Sequence, residues 1–401
     1  MATTKDFGAM RVVEDNSHSA LKAFGDAGWK VFAVEQGSRL FQKPEFEFLD
    51  PLTQDLEQFS AECIKSPLTG TINAWLQAPA TRGDKPTIDL LLKALFGRVI
   101  TTASMAGVAE PTVADGNTVE VTTVDVNLQA GMAILLSVSG VDQVAFVTSI
   151  STGTGAGGID QIFITPAYSE GNLDATAIPA GVHYVPKTGG NAGEYPIIQV
   201  DQLDDPNDER YGWIGLKIAS AQWSSGAGQI IKPAFEILGI KELKETGEAG
   251  TITDPTISNV FVGKNIFIQK DGGALTWVST LDINYNNSLS EVPGAEAVDG
   301  IAGYAEDRRV ITIGLDYKYE NSTDRDNYKN GTKFALGSYA RRNVGTLASP
   351  DYRYCAMYCP DMLAEDFNIT TPQGKILKYD LTARAFPKTR ANEDSFTLSL
   401  I

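Results

Sequence analysis

Few side chains in this sequence have the chemistry that catalysis at neutral pH requires. The 401 residues include only two histidines, His18 and His183, and histidine is the side chain whose ordinary pKa lies nearest neutrality. Neither has a catalytic partner nearby in the sequence, so both are predicted to be ordinary surface residues. The sequence also lacks a GxSxG nucleophile motif and a P-loop lysine followed by Ser or Thr. We therefore predict that the protein is not an enzyme.

One glycine-rich run, Gly153 to Gly158, fits the GxGxxG pattern of dinucleotide-binding loops. That pattern requires a helix after the glycines, because the N-terminus of the helix holds the pyrophosphate. The residues that follow, Ile159–Thr165, have the composition of a strand. A hairpin loop is therefore favoured over a cofactor site.

Three further segments contain groups that could bind metal or change redox state. Asp324–Asn330 faintly resembles a calcium loop but lacks its turn glycine and closing Glu. The acidic run Asp201–Glu209 could hold a divalent ion weakly, although a solvated loop is favoured. Cys355 and Cys359 lie four apart in a predicted strand, about 13 Å from each other, which is too far for a disulfide. We predict no metal site and no cofactor.

The composition indicates a folded chain with a strongly acidic balance. Asp and Glu number 50 against 33 Lys and Arg, giving a net charge of -17, and 43% of residues are hydrophobic. Tight DNA binding needs clustered cations, so the charge argues against a DNA-gripping surface. Three cysteines without a pairing framework favour a reducing compartment. The start MATTKDFGAM predicts no secretory signal, and Asp142, Gln143, two glycines and several hydroxyl residues within 130–150 predict no membrane insertion.

Alternation of apolar and polar residues predicts the strands of the C-terminal half. The clearest examples are Leu275–Tyr285, Val310–Tyr319 and Lys375–Phe386. Their apolar positions are the candidate core: Trp277, Leu281, Ile283, Ile311, Ile313, Leu315, Leu377 and Leu381. Their polar positions form a candidate functional face: Thr280, Asp282, Asn284, Thr312, Asp316, Asp380 and Thr382.

Two short helices are predicted among the strands. Leu90–Phe96 is an apolar run with Thr87 as the predicted N-cap and Gly97 just after its end. A second helix is predicted to begin at Ser322–Asp324 and to end at Asn330 and Gly331. Lys241–Glu245, with the residues up to Pro255, is predicted to be a linker. The predicted fold class is mainly β, with antiparallel sheets and one or two short helices.

Shifts in composition divide the chain into parts. Residues 1–50 are predicted to form an N-terminal arm around one strand, Trp29–Val34. No Lys or Arg occurs between Val99 and Pro186, where eight acidic residues and four short strand patterns occur. We predict a small acidic β module at 105–186, inserted on the outer surface of a domain built from 51–104 and 187–401. The alternative is that its strands belong to the main sheet.

The order and spacing of these elements resembles that of the tail tube (major tail) proteins of long-tailed bacteriophages. The segments that carry the resemblance are Ser66–Gly70, the helix at Ile88–Phe96, Gly212–Ile218 followed by Ile231–Leu238, Leu275–Asn286, Gly303, Arg308–Val310, the helix near Asp324, Asn330–Thr332 and the last strands through Phe386 and Phe396.

The resemblance implies a β-sandwich or split-barrel subunit, six of which close into a ring whose sheets merge into one lumen barrel. Stacked rings would form the tube of the virion tail, through which viral DNA passes without sequence-specific binding. The implied partners are further copies of the chain and the tape-measure, tail terminator and baseplate proteins, after synthesis in the host cytoplasm. The seven polar candidates would then line the lumen, or alternatively face solvent on an outer sheet.

Two other classes of function remain open from the sequence. A capsid or decoration protein of a virion would share the β-rich, acidic and enzyme-free profile. A carbohydrate-binding adhesin module would share the β-sandwich.

Overall fold

The computed structural model describes residues 9–15, 20–35, 38–49, 60–111, 115–155, 157–187, 195–204, 209–226, 228–246, 255, 257–263, 266–275, 277–294, 301–318, 322–370, 378–388 and 395–401. Two helices, α1 (Asp89–Phe96) and α2 (Thr323–Lys329), accompany the strands. The strands are β1 (Ala9–Glu14), β2 (Lys30–Ala33), β3 (Arg39–Gln42), β4 (Glu45–Leu49), β5 (Ser60–Lys65), β6 (Leu68–Asn73), β7 (Gly97–Thr102), β8 (Thr118–Val121), β9 (Ala133–Val138), β10 (Val141–Ser151), β11 (Asp160–Thr165), β12 (Gly181–Pro186), β13 (Ile198–Asp204), β14 (Glu209–Gly226), β15 (Ala234–Gly239), β16 (Lys241–Thr246), β17 (Ile266–Lys270), β18 (Gly273–Ala274), β19 (Thr280–Asn286), β20 (Leu289–Pro293), β21 (Ile301–Glu306), β22 (Val310–Lys318), β23 (Phe334–Asn343), β24 (Tyr352–Thr370), β25 (Lys378–Phe386) and β26 (Thr397–Leu400). The predicted mainly β class is confirmed.

Within the described residues, eighteen strands join in one antiparallel main sheet. Its central series runs β17, β23, β24, β25, β22, β19 and β14. The long strand β14 changes partners along its length, pairing with β13 and β16 in its first half and with β15 and β19 in its second. The first half of β24 pairs with β26, which continues to β12 and β7. The main sheet is therefore a single curved layer built from strands that are far apart in the chain.

Helix α1 packs on the core-facing side of the main sheet. Its apolar side chains from Leu91 onward are buried, and Phe96 lies 4.7 Å from Tyr285 and 5.7 Å from Phe396, measured between ring centroids. The predicted end of the helix is correct, because Gly97 has φ +92° and its N–H bonds to the carbonyl of Lys93. The predicted start is wrong. The N-cap is Ile88, which makes no side-chain capping bond, so burial and not a Thr87 cap determines where α1 begins.

Segments predicted to be an arm and a linker contribute strands to the main sheet. In the predicted arm, β1 pairs with both β2 and β13, and β3 pairs with β6. The linker prediction for Lys241–Glu245 is wrong, because β16 pairs with β14 over six residues. The charged side chains of β16 lie on an edge strand, where water remains available to them. The described strands β1, β2 and β3 are therefore part of the main sheet. For the residues of 1–50 that lie outside the described ranges, the arm stays a prediction.

The acidic segment forms a separate sheet with the strand order β8, β11, β10, β9. One face of this sheet covers its own apolar cluster, which includes Val119, Leu136 and Ile162. The other face of β9 and β10 packs on β24 of the main sheet, where the rings of Phe146 and Tyr358 stack at 4.7 Å. Gly337 permits this contact, because a Cβ there would lie 2.4 Å from the Phe146 ring. The module is therefore attached through a packed apolar interface.

The strand pairing contradicts the predicted C-terminal boundary of the module at residue 186. β12, which occupies the last residues of the predicted module, pairs with β7 on one side and β26 on the other. These residues therefore belong to the main sheet. The rest of the division at 105–186 stays a prediction.

Candidate functional site

Five neighbouring strands of the main sheet share a face that points away from the core and carries polar side chains. We call it the polar face. Its residues are Gln222 and Ser224 of β14, Thr280, Asp282 and Asn284 of β19, Thr312, Asp316 and Lys318 of β22, Lys378, Asp380, Thr382 and Arg384 of β25, and Asp366 and Asn368 of β24.

Strand register arranges the polar face in rows that cross the strands. In one row Thr280, Asp316, Asp380 and Asn368 lie side by side. The next row contains Ser224, Asp282, Thr382 and Asp366, with Gly314 in the middle. The third contains Gln222, Asn284, Thr312 and Arg384. All seven polar candidates named from the sequence thus lie on one face, with Asp282 and Asp380 exposed and the others half-buried.

The opposite face of the same strands points into the core. Leu281, Ile283, Ile311, Ile313, Leu315 and Leu381 are each at most 3% exposed. The prediction that Trp277 is a core residue is wrong, because its side chain is 70% exposed and β19 begins three residues later. A left-handed backbone, with φ +57°, breaks the alternation at Trp277. Leu377 lies outside the described residues.

Like charges lie directly opposite each other on the polar face. Asp316 is paired with Asp380, and two residues further along the strands Lys318 is paired with Lys378. Partial burial raises the pKa of Asp316, Asp380 and Asp282 raise it further, and Lys378 opposes the change. Directly opposed like charges destabilise a strand pair. This arrangement therefore costs folding free energy, which points to a role for the charges other than stability.

Replacing Asp316 by asparagine is expected to stabilise the protein. Removing one of two opposed carboxylates should raise the free energy of unfolding at pH 7 by about 0.2–1 kcal/mol. Urea unfolding at low salt measures the gain, which should shrink at high salt because exposed charges are screened. In an Asp380→Asn background the same substitution should give a smaller gain, because only partial burial and Asp282 then oppose the Asp316 charge. A destabilised Asp316→Asn protein would contradict the repulsion argument.

The strand ends explain which polar residues the sequence reasoning missed. The sequence pattern predicts a strand at Gly212–Gln222, yet β14 continues to Gly226 and adds Ser224 to the polar face. The pattern also predicts a strand at Tyr352–Tyr358, yet β24 continues to Thr370 and adds Asp366 and Asn368. The sequence signal in β14 is weak, because Trp223 is apolar but Ser225, which is also buried, is polar.

The prediction that His183 is a surface residue is wrong. Its side chain is fully buried in β12, with Nδ1 2.8 Å from Oγ of Ser399 and Nε2 3.2 Å from Oγ1 of Thr102. Burial lowers the pKa of His183 to about 3, and Asp125 opposes the change weakly. The neutral imidazole thus joins β7, β12 and β26, with no substrate-accessible surface. His18 lies outside the described residues.

The buried His183 predicts a loss of stability in acid. Its folded pKa lies below the ordinary value of 6.5, so the stabilisation is complete above pH 6.5 and is lost as pH falls toward 3. Each pH unit within this window should cost about 1.4 kcal/mol. Urea unfolding of the natural protein and of His183→Asn at several pH values isolates this contribution from that of the carboxylates. Parallel pH dependences in the two proteins would contradict it.

The remaining sequence candidates have structural roles. The glycine run from 153 to 158 connects β10 to β11, as predicted for a hairpin loop, and Asp160 accepts a bond from the N–H of Gly153. Burial raises the pKa of the Cys355 thiol to about 12 and also raises that of Cys359. Among the described residues, no group of three or more His, Cys, Asp or Glu side chains could hold a metal ion. Neither described helix has the length and apolarity needed to span a membrane.

Comparison with protein families identifies a match over most of the chain. A family model described as phage tail tube protein matches residues 68–384, well over half of the chain, and that range includes four of the five strands of the polar face in full and most of the fifth. No individual curated protein matches.

Proposed function

Because this chain belongs to the phage tail tube protein family, we propose that copies of it, six in number, close into a ring and that rings stack into the tube of the virion tail. The polar face then lines a lumen through which viral DNA passes. The observation that carries the proposal is the one-sided sheet, in which one face is core and the other is a continuous polar surface. The role is structural and needs no catalysis.

The charge of the polar face supports passage rather than binding of DNA. Four carboxylates on this face stand against three cations, one of which, Arg384, is ion-paired with Glu365, with 2.7 Å between Nε and Oε1. Duplex DNA carries about one negative charge per 1.7 Å of its axis, and tight binding needs clustered cations that release counterions. A face on which carboxylates outnumber free cations lets DNA slide.

The edges of the main sheet support ring closure. In the described part of the chain, β2, β3, β7 and β16 each pair on one side only. An unpaired strand edge presents N–H and C=O groups that another chain can pair with. Closure of a ring across subunits satisfies such edges. The tape-measure protein inside the tube, and the tail terminator and baseplate proteins at its ends, are the further proposed partners.

Negative-stain electron microscopy of the purified chain tests this function. We expect rings with a central hole, alone or stacked into tubes, and six subunits in averaged end views. Increasing the protein concentration should favour tubes. Dispersed monomers or trimers at high concentration would contradict the proposal and favour a capsid, decoration or adhesin role.

The acidic module is proposed to project from the outside of the tube. A variant in which residues 106–179 are replaced by a short Gly-Ser link should form rings of unchanged inner diameter that lack outer projections. The replacement ends before β12, because β12 belongs to the main sheet. Tyr354→Thr and Tyr358→Thr should accompany it, since the module covers both side chains. Loss of all rings from a variant that still melts cooperatively would show that the module is part of the wall.

A further inference from the structure

Trp277 presents a largely exposed indole ring, here called the knob, to solvent, on the wall of a surface pocket that Phe267, Leu275 and Tyr339 also line. Among the described residues it is the most exposed aromatic side chain. Its left-handed backbone takes the side chain away from the core-facing position that alternation would give it. The ring lies instead beside the polar face, with its centroid 5.7 Å from Nζ of Lys318. Tryptophan is the residue type most enriched among binding hot spots, so an exposed one at a fixed angle marks an interaction surface.

A surface pocket of about 280 Å³ lies under the hairpin of β20 and β21. Its wall is mainly apolar and contains Ile197, Ile240, Val292 and Tyr304 together with Gly303 and Lys217. The ammonium group of Lys217 is buried and donates to the carbonyl of Tyr304 at 3.1 Å. An apolar cavity of about 150 Å³ accepts benzene, so this pocket is large enough for the two rings of an indole.

The knob and the pocket lie at opposite ends of the same pair of strands. Trp277 precedes the start of β19, where Thr280 pairs with Gly226 of β14. β19 ends at Asn286, which pairs with Ser220 only three residues from Lys217, and the chain then enters the hairpin over the pocket. Seven residues of β19 separate the two features by roughly 23 Å. A second copy displaced along this direction therefore brings its knob to the pocket of the first.

We propose that Trp277 of one copy inserts into the pocket beneath the β20–β21 hairpin of the next copy along the tube axis. The inference rests on the proposed function and specifies its ring-to-ring contact. Charge supports a second copy as the occupant, because Lys318 lies beside the Trp277 ring, and the exposed Glu291 of β20 is the cross-strand partner of Tyr304, which lines the pocket. Knob and pocket are different surfaces of one chain, so the contact repeats from copy to copy and gives a filament.

Two single variants each remove one side of the contact. Trp277→Asn deletes the ring, and asparagine tolerates the left-handed backbone. Gly303→Phe adds a ring at a residue that lines the pocket, and the added Cβ would meet nothing within 4 Å, so the change should obstruct entry without straining the fold. Leu347→Asn is the matched control, since Leu347 is 98% exposed in the loop between β23 and β24. We expect all three to melt like the natural protein, and the first two to form rings but tubes at least tenfold shorter in electron micrographs.

A mixture of the two variants gives the sharpest test. Trp277→Asn keeps an open pocket and Gly303→Phe keeps a knob, so an equal mixture should form stacked pairs of rings that do not grow. Trp277→Tyr should restore part of the tube length. If the natural protein forms no rings, the proposed function fails and this inference fails with it. If the natural protein forms tubes, normal tube length in either variant overturns the inference alone, and so does loss of rings in Trp277→Asn with normal melting.

Discussion

Replacing Ile283 by aspartate is expected to prevent folding. Ile283 is 3% exposed at the centre of β19, where it pairs with Trp223 on one side and Ile313 on the other. An unpaired carboxylate in this apolar layer would cost several kcal/mol. Domains are stable by only about 5–15 kcal/mol in total. Circular dichroism during heating should therefore show no cooperative transition for the variant.

The matched control places the same aspartate on the other face of the neighbouring strand. Thr312 lies beside Ile313 in β22, is half-buried on the polar face and is paired with Arg384. Thr312→Asp should keep a cooperative transition close to that of the natural protein, because the new carboxylate reaches water and a cation. Unchanged melting of Ile283→Asp would mean that the two faces of the sheet are assigned in reverse.

Much of the main sheet follows directly from alternation along single strands. The pattern around Ile283, and the similar pattern in β22 and β25, identifies both the strands and the two faces, since consecutive side chains point to opposite sides. Turn residues bound the four strand patterns of the acidic module, Thr118–Val126, Met132–Val138, Gln143–Ile150 and Asp160–Thr165. The last three match β9, β10 and β11 closely, whereas β8 ends earlier than predicted, at Val121. The spacing of apolar and polar residues is sufficient to predict a strand and its two faces wherever one face is buried and the other is exposed to solvent.

The predictions that failed depend on partners distant in the chain. His183 is buried because β7 and β26 cover it, and its hydroxyl partners lie 81 and 216 residues away. β16 has a charged composition yet pairs with β14 as an edge strand. Trp277 fits the period of β19, but one residue with positive φ reverses its direction. Periodicity carries no information on these long-range contacts or on a single backbone angle.

The acidic run beginning at Asp201 was also mispredicted because its partners are distant in the chain. Substitution of Asp201 gives the second large predicted loss of stability. The sequence favoured a solvated loop, but Asp201 is fully buried in β13. Its carboxylate accepts bonds from Nε of Arg11 at 2.9 Å and from Nε of Arg210 at 2.8 Å, and it also contacts Nη2 of Arg11. Phe24 packs on the Arg11 guanidinium, 4.0 Å from its ring centroid. One carboxylate therefore neutralises two buried cations from β1 and β14.

Replacing Asp201 by alanine is expected to destabilise the protein by about 3–5 kcal/mol, because removal of one partner leaves buried charge uncompensated. The guanidinium groups of Arg11 and Arg210 would both lose their buried carboxylate partner. Arg210 would keep its contact with Glu245, but Glu245 is partly exposed and would neutralise the buried charge only in part. Urea unfolding at pH 7 gives the change in the free energy of unfolding. The loss should lie well above that of Arg11→Met, which removes one cation and leaves the carboxylate paired with Arg210.

The exposed pair between Arg384 and Glu365 provides the control for burial. Its N to O distance is 2.7 Å, similar to the distances around Asp201, but the two side chains are 41% and 38% exposed. Glu365→Gln should therefore cost less than about 1 kcal/mol, since water replaces the lost partner. Similar losses from Asp201→Ala and Glu365→Gln would contradict the argument that desolvation, and not ion pairing itself, sets the cost. A large loss only at Asp201 would show that the buried carboxylate, which contacts Arg11 of β1 and Arg210 of β14, contributes far more to stability than the exposed pair does.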